Sequence, residues 1–436
     1  MSQHLYKLIT NEVLDIMSTP PSYKNIVYEI IFHNKDTDLP IKLFESIEIN
    51  SDYNNKIADH IIVNVQMGTG DYVFDVFKYK DNIELTINIK RDNVLYSSKT
   101  YKAVLINTTD NMSGIGSNID KESLNKSGLT RVNFELIDTS VEVLRVVKTS
   151  GIYKDMNMRD VITTMLKTGC STVKVNGETL SPTINMVEPN NTSVYKHIIV
   201  PTGTRLVDIP TYFQDTNYGV YSGDIGIYIK SKRIDINQSK LNLYVYPLYT
   251  TESDNYDDLI IYHSDGKLNK SSDNTYTISQ DSIKIVSNEL SIMEIKQNNL
   301  MNKGGAVTGS NPDNLLMYNS EVTDSSVSYD NSKQVSNSTL ETTDGLVNER
   351  YVGNEVNMYK HTSKVFEDSM DLVKIIWKYS NADLLHPGMN AKIYYQVDNS
   401  VRVMKGVLQR NYTVYNAATK LEETILLLKV GDVNEN

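Results

Sequence analysis

A chain of 436 residues, 40% of them hydrophobic, can bury two or three cores of ordinary size, so a single compact domain is not expected. Its 43 basic against 54 acidic side chains give a net charge of -11, which argues against tight binding of nucleic acid. The lone cysteine, Cys170, excludes an intrachain disulfide and with it a secreted, disulfide-stapled scaffold, and points to a reducing compartment.

The N-terminus, MSQHLYKLITNEVLDIM, lacks a basic stretch followed by a continuous apolar run, so no export signal is expected. Apolar runs such as 425–428 are of strand length, and no membrane span is expected. Tyrosine dominates the aromatics, with 29 Tyr against 7 Phe and 1 Trp. Half-wet interfaces favour a ring that carries a hydroxyl, and AT-rich codon usage accounts for the same excess.

From 41 to about 147 the sequence alternates in strand-length pieces at 61–65, 72–77, 83–89, 101–106 and 132–137. Lys80-Asp81-Asn82 and Arg91-Asp92-Asn93 supply turns, and Gly68-Thr69-Gly70-Asp71 reads as a tight connection between two β runs. After Gly151, the spacing of Met158, Val161, Ile162, Met165 and Leu166 predicts a helix with one buried face. Asp155 is the expected N-cap and Gly169 the expected C-terminal stop. A shorter helix is predicted over 206–214, its start limited by Pro210, and strands at 225–229 and 241–246, the second ended by Pro247.

Between 298 and 361 the chain turns to Ser, Asn, Thr, Asp and Gly, a composition that builds no core alone and predicts a long loop or insertion. Strand patterns return at 391–396, 401–410 and 424–430. The segment Asp398-Asn399-Ser400-Val401 before 405–411 echoes Asp92-Asn93-Val94 before 99–107. Two related β domains explain the echo, and so does the general likeness of Asn-rich hairpins.

Chemistry-bearing motifs are sparse. No G-x-S-x-G, Walker-type loop or H-E-x-x-H occurs, and the seven histidines are dispersed. Gly68-x-Gly70 and Gly114-x-Gly116 lack the third glycine and strand-to-helix setting of a dinucleotide site. Asp254, Asp257 and Asp258 beside Tyr256 could ligate calcium or supply paired carboxylates, but without EF-hand spacing they read as a solvated turn. Cys170 reads as a small buried residue. No catalytic residue, metal or cofactor is therefore assigned, and an enzyme is not expected.

Several segments taken in order resemble the central baseplate hub family of contractile-tailed bacteriophages, which is related to the hub part of type VI secretion spike proteins. Leu39-Pro40-Ile41, the GDY at 70–72 and KDNIELTINIKRDN at 80–93 are similar to the family's first tube domain. GIYKDMNMRDVITTML, then VPTGTRLVDIPTYFQDTNYGVYSGDIGIYI, then LYVYPLY resemble its middle segment, with Tyr218-Gly219-Val220-Tyr221 as the best single marker. LLHPGMNAKIYY, with His386-Pro387-Gly388 as its opening turn, resembles its second tube domain. The polar insertion matches nothing in the family.

The resemblance implies an α+β, mostly β fold with two similar antiparallel β-barrel domains of tube type. Their expected spans are 1–147 for the first, 148–245 for a mixed α/β middle, 246–297 with 362–436 for the second, and 298–361 for the insertion. It further implies a homotrimer presenting a pseudo-sixfold face, which joins the hexameric tail tube to a trimeric spike in the virion baseplate after assembly in the host cytoplasm. Implied partners are a spike expected to be a separate polypeptide, because the chain stops at Asn436, along with tail-tube or tube-initiator proteins and other baseplate subunits. DNA would be met only in transit, and no stable membrane insertion is implied. Tyr218, Tyr221, Tyr246, Tyr249 and His386 are the candidate subunit or partner contacts, with half-buried core packing as the other reading of the tyrosines. The rival function is a receptor- or carbohydrate-binding β protein of the virion or cell surface.

Overall fold

The computed structural model describes residues 2–19, 26–106, 120–175, 177–216, 218–235, 238–249, 258–263, 275–279, 282–293, 359, 370–397 and 400–432. Apart from Tyr359, the expected 298–361 insertion lies outside the described residues, as do Asp254, Tyr256, Asp257 and the glycines at 114 and 116.

The first β-rich stretch follows its alternation. Every second residue of His60–Gly68 is buried, and Ile61, Val63, Val65 and Met67 share one core with Phe32, Leu85 and Phe134. Around that core an antiparallel ladder runs in the order Leu43–Asp52, His60–Gly68, Leu129–Ile137, Val94–Leu105, Ile83–Arg91, Ile26–His33, Asp38–Ile41. Between Ile83–Arg91 and Val94–Leu105, Asp92 and Asn93 make a two-residue hairpin with φ of 48° and 65°, left-handed values that Asp and Asn tolerate better than other side chains.

The expected strand at 72–77 is absent. Thr69–Asp71, Tyr72–Val76 and Phe77–Tyr79 form successive helical turns. The nearly continuous apolar run YVFDVF has the length of a strand, yet Tyr72 and Val76, both buried, are spaced by four, as on a helix face. Gly70 approaches the Lys121 carbonyl so closely that a Cβ would lie 2.1 Å from its oxygen. Gly68 to Asp71 therefore leads into a helix packed on Lys121–Ser127 rather than joining two strands.

The middle of the chain is mixed, as expected. Helix Met158–Ser171 buries Met158, Val161, Ile162, Met165 and Leu166. Its caps differ from the sequence expectation: Asn157, not Asp155, accepts the Asp160 amide at 2.9 Å, and the helix continues to Ser171. Gly169 lies within the helix, packed against Leu206, whose side chain would lie 2.4 Å from a Cβ there. Leu206–Asp208 and Ile209–Asp215 form the second short helix with Pro210 in its first turn. Lys148–Tyr153 pairs with Ile198–Arg205, and Ile225–Asp235 with Gln238–Pro247, whose other edge carries Thr183–Met186 in parallel.

In the last part Asp371–Lys378, Leu421–Asp432, Ser400–Asn416 and Asn390–Val397 form an antiparallel ladder. Beyond Asn390–Val397, strand Leu259–His263 lies parallel both to it and to Ser282–Ser287, against the all-antiparallel expectation. Leu259, Ile261, Tyr262 and His263 are all buried, the burial expected of a central strand covered on both faces. One cover is helix Ser2–Ser18, whose Ile9, Val13 and Ile16 pack on Tyr262 and Val286, with Lys284 paired to Glu12 at 2.9 Å.

Ser400–Asn416 splices the two halves. Its first residues pair with Asn390–Val397 and its last with Leu43–Asp52, so both halves belong to one 15-stranded sheet. The chain is thus mostly β with a mixed middle, but the expected pair of barrels is not formed as closed ladders: among the described residues the sheet stays open. Among those residues, too, no helix is long and apolar enough to cross a membrane.

Candidate contact residues and the cleft between the halves

The segment Tyr218 to Tyr221 is a turn clamped from inside. Gly219 has φ of 68°, open to glycine, and its amide donates to the Phe213 carbonyl at 2.9 Å. Gln214, on the preceding helix, is buried; its Oε1 accepts the Val220 and Tyr221 amides, each at 3.0 Å, and its Nε2 donates to the Tyr221 carbonyl at 2.8 Å. Asn191 Nδ2 donates to the Tyr218 and Gly219 carbonyls at 2.7 and 2.9 Å. A buried turn needs its backbone groups satisfied, and these two amides do so. Neither was singled out from the sequence, where an isolated Gln or Asn carries no signal of a long-range clamp.

Of the candidate contacts, Tyr221, Tyr246 and Tyr249 are buried within the chain itself. The Tyr221 hydroxyl donates to the Val187 carbonyl and that of Tyr246 to the Tyr53 carbonyl at 2.7 Å, while the Tyr249 amide donates to Gly223 O at 2.9 Å. Burial pushes the Tyr221 and Tyr246 hydroxyls well above their ordinary range. These three rings pack the cores on either side of Gln238–Pro247. Tyr218 is half-buried, edge-on to Tyr195 with ring centres 5.0 Å apart. His386, also half-buried, stacks on Tyr244 at 5.9 Å; next to it, Gly388 with φ of 75° lies against Tyr246, where a Cβ would come within 2.7 Å of the tyrosine Cβ. The five residues thus do not form one patch: Tyr218 sits with the middle core, and His386 with the turn that opens Asn390–Val397.

Asp258, the described member of the acidic run, joins two strands. Its Oδ2 accepts the Asn390 amide at 2.9 Å and its carbonyl accepts the Ile283 amide at 2.8 Å. Cys170 is buried in the middle core, and burial pushes its thiol up to about 11, away from reactivity. Among the described residues, no group of three or more His, Cys, Asp or Glu could hold a metal ion.

Where the first sheet, the middle segment and the 382–386 turn meet lies a cleft of two adjoining lobes, about 490 and 330 Å³, sharing Asp59, Ile61, Lys99, Tyr101, Lys230 and Ser231. A parallel bridge between Ala58 and Ile229 sets Asp59 and Lys230 beside each other. Asp59 Oδ1 accepts the Ser51 and Tyr228 hydroxyls at 2.5 and 2.7 Å, and Lys230 Nζ donates to the Leu385 carbonyl at 2.8 Å. Lys99 pairs with Asp138 at 2.7 Å, and Asp138 also accepts the Ser231 hydroxyl. Burial works against both charges, but Lys99 holds the Asp138 carboxyl below its ordinary range, while Tyr101 and Asp138 raise the Lys99 ammonium.

At the floor of the smaller lobe, Glu422 ties the halves together. Its carboxylate accepts the Ala382 amide at 2.9 Å and the Ser380 and Tyr28 hydroxyls at 3.3 Å. Arg91 reaches across to Asn381 at 2.7 Å and Asp383 at 2.9 Å. Burial, with Asp383 nearby, pushes Glu422 up to about 7, against the lowering effect of the Ala382 amide and Arg91.

No family model matches the sequence, and no curated protein sequence matches it. Solved structures do resemble the chain. It is similar to a tail protein of Neisseria meningitidis at 11% identity and TM-score 0.45, covering 92% of this chain and 96% of that one. The 43 kDa tail protein of prophage MuSo2 from Shewanella oneidensis aligns at 9% identity and TM-score 0.46, covering 92% and 97%. A component of the Escherichia coli type VI secretion system, described as similar to phage T4 tail proteins, aligns at 7% identity and TM-score 0.40, covering 93% and 77%.

Proposed function

We propose that the chain is the central hub subunit at the base of a contractile phage tail, a structural virion protein and not an enzyme. Three copies close into a ring, each contributing two β halves, so that a hexameric tube docks on a pseudo-sixfold face and a trimeric spike on the other side. Other baseplate subunits pack around the ring, and DNA passes through it without being gripped.

The observation that carries this reading is the joining of two β-rich halves in one sheet. The two echoing sequence segments both fall on hairpins with two-residue connections, Arg91 facing Val94 in one and Val397 facing Ser400 in the other. Ser400–Asn416 then binds the halves edge to edge. Motif order in the sequence supplies the family, and the net charge of -11 suits a passage for DNA. In this reading the domains are those expected from the sequence, the two β halves complete their barrels only in the assembled ring, and half-exposed Tyr218 and His386 are contact residues.

Light scattering of the purified full chain tests the assembly. A mass three times that of the 49.4 kDa chain is expected. A monomer that stays monomeric when mixed with tube and spike proteins contradicts the hub.

A further inference from the structure

We propose that the cleft between the halves is a binding site for a neutral saccharide of one or two sugar units. This stands apart from the hub reading and concerns a different face of the chemistry. The smaller lobe has a floor of polar side chains. Ser51, Asn411, Thr413 and Glu422 are all at least nine-tenths buried, yet they line a cavity of about 330 Å³. Its walls carry the half-exposed rings of Tyr96, Tyr101 and Tyr244, and its mouth carries Asp59 and Lys230. A volume of this size is that of small-ligand sites.

The lining decides among ligand classes. An anionic ligand meets Asp59, Asp383 and Glu422, while Lys99 is already neutralised by Asp138. An apolar ligand would strip water from carboxylates and an ammonium and return nothing. A metal lacks a cluster of ligands among the described residues. A sugar hydroxyl donates and accepts at once, so one ring can serve the second oxygen of Asp59, the remaining protons of Lys230 and the hydroxyls at the floor. The apolar faces of a pyranose match tyrosine rings. Lys230 donates one proton to the Leu385 carbonyl, and the two hydroxyl donors of Asp59 share one oxygen, Oδ1.

The test is saturation-transfer NMR and calorimetric titration of the purified full chain with glucose, galactose, N-acetylglucosamine and their disaccharides, up to about 50 mM as befits a millimolar site. Glucose 6-phosphate is the anionic comparator. At least one neutral sugar is expected to bind, with the phosphate no tighter. Lys230→Gln and Asp59→Asn should each weaken it about ten-fold, the loss expected for one hydrogen bond to a charged group. Tyr96→Ala, at a half-exposed position, supplies a third variant, and thermal unfolding checks all three. The proposal is overturned if no neutral sugar binds, if the phosphate binds more tightly, or if folded variants bind as well as the parent.

Discussion

Glu422 makes the sharpest single-residue prediction. Its folded-state carboxyl titrates at about 7, above the ordinary 4.5 of an unfolded glutamate, so the native state holds the proton more tightly. The stability this contributes is full below pH 4.5 and is lost as pH rises towards 7, a decline of about 3 kcal/mol at most. Glu422→Gln mimics the protonated form and keeps an acceptor for the Ala382 amide. Urea unfolding between pH 5 and 8 should show a flatter profile in the variant, with its largest relative gain at pH 8; an unchanged profile would remove Glu422 from the account. Gly406 gives a second test. A Cβ there would lie 1.8 Å from the Lys429 carbonyl oxygen in the neighbouring strand, so Gly406→Ala should lower unfolding stability by roughly 2 kcal/mol or more. The residues that clamp the Tyr218 turn, Gln214 and Asn191, show why such roles stay hidden in sequence. Their partners are backbone groups brought near only by folding, and nothing in the side chain's type names them.

At the level of elements, helix Met158–Ser171 and the hairpins were legible because a buried face imposes a period and a left-handed turn selects Asp and Asn. The turns at 69–79 were not, since a short apolar run of six residues fits both a strand and a tight helical stretch. Helix Ser2–Ser18 carried its signal in Ile9, Val13 and Ile16, spaced by four and three, but a short apolar stripe in a polar segment does not say what it covers. The parallel seat of Leu259–His263 was equally unreadable: pairing partners are set by topology, which strand composition does not encode. The contact candidates divided for a similar reason, since tyrosines of core and surface have the same neighbours in sequence. The N-terminal helix yields a prediction at this scale. Ile9→Ala should cost about 2 to 4 kcal/mol of local stability and raise amide exchange in residues 2–19 and 259–263, while Met158–Ser171, in a separate core, keeps its protection.

At the scale of the whole molecule, the 15-stranded sheet is open among the described residues, and the proposed hub accounts for its edges by contacts between subunits. Open ladders leave edges that natural proteins cover, and a ring of subunits is one way to cover them. In the hub reading, the acidic balance of the chain repels DNA, so that it is not gripped in transit, and raises the mutual repulsion of subunits, so ring formation should strengthen as salt screens that repulsion. Sedimentation velocity at low and moderate ionic strength would register this as a rise in the trimer fraction. The most direct measurement is a three-dimensional reconstruction of the purified particle by electron microscopy. A threefold ring with an open centre, in which the two β halves of each chain alternate around one face at near-sixfold spacing, is the predicted result. A closed monomer or a twofold particle with no central passage would contradict it.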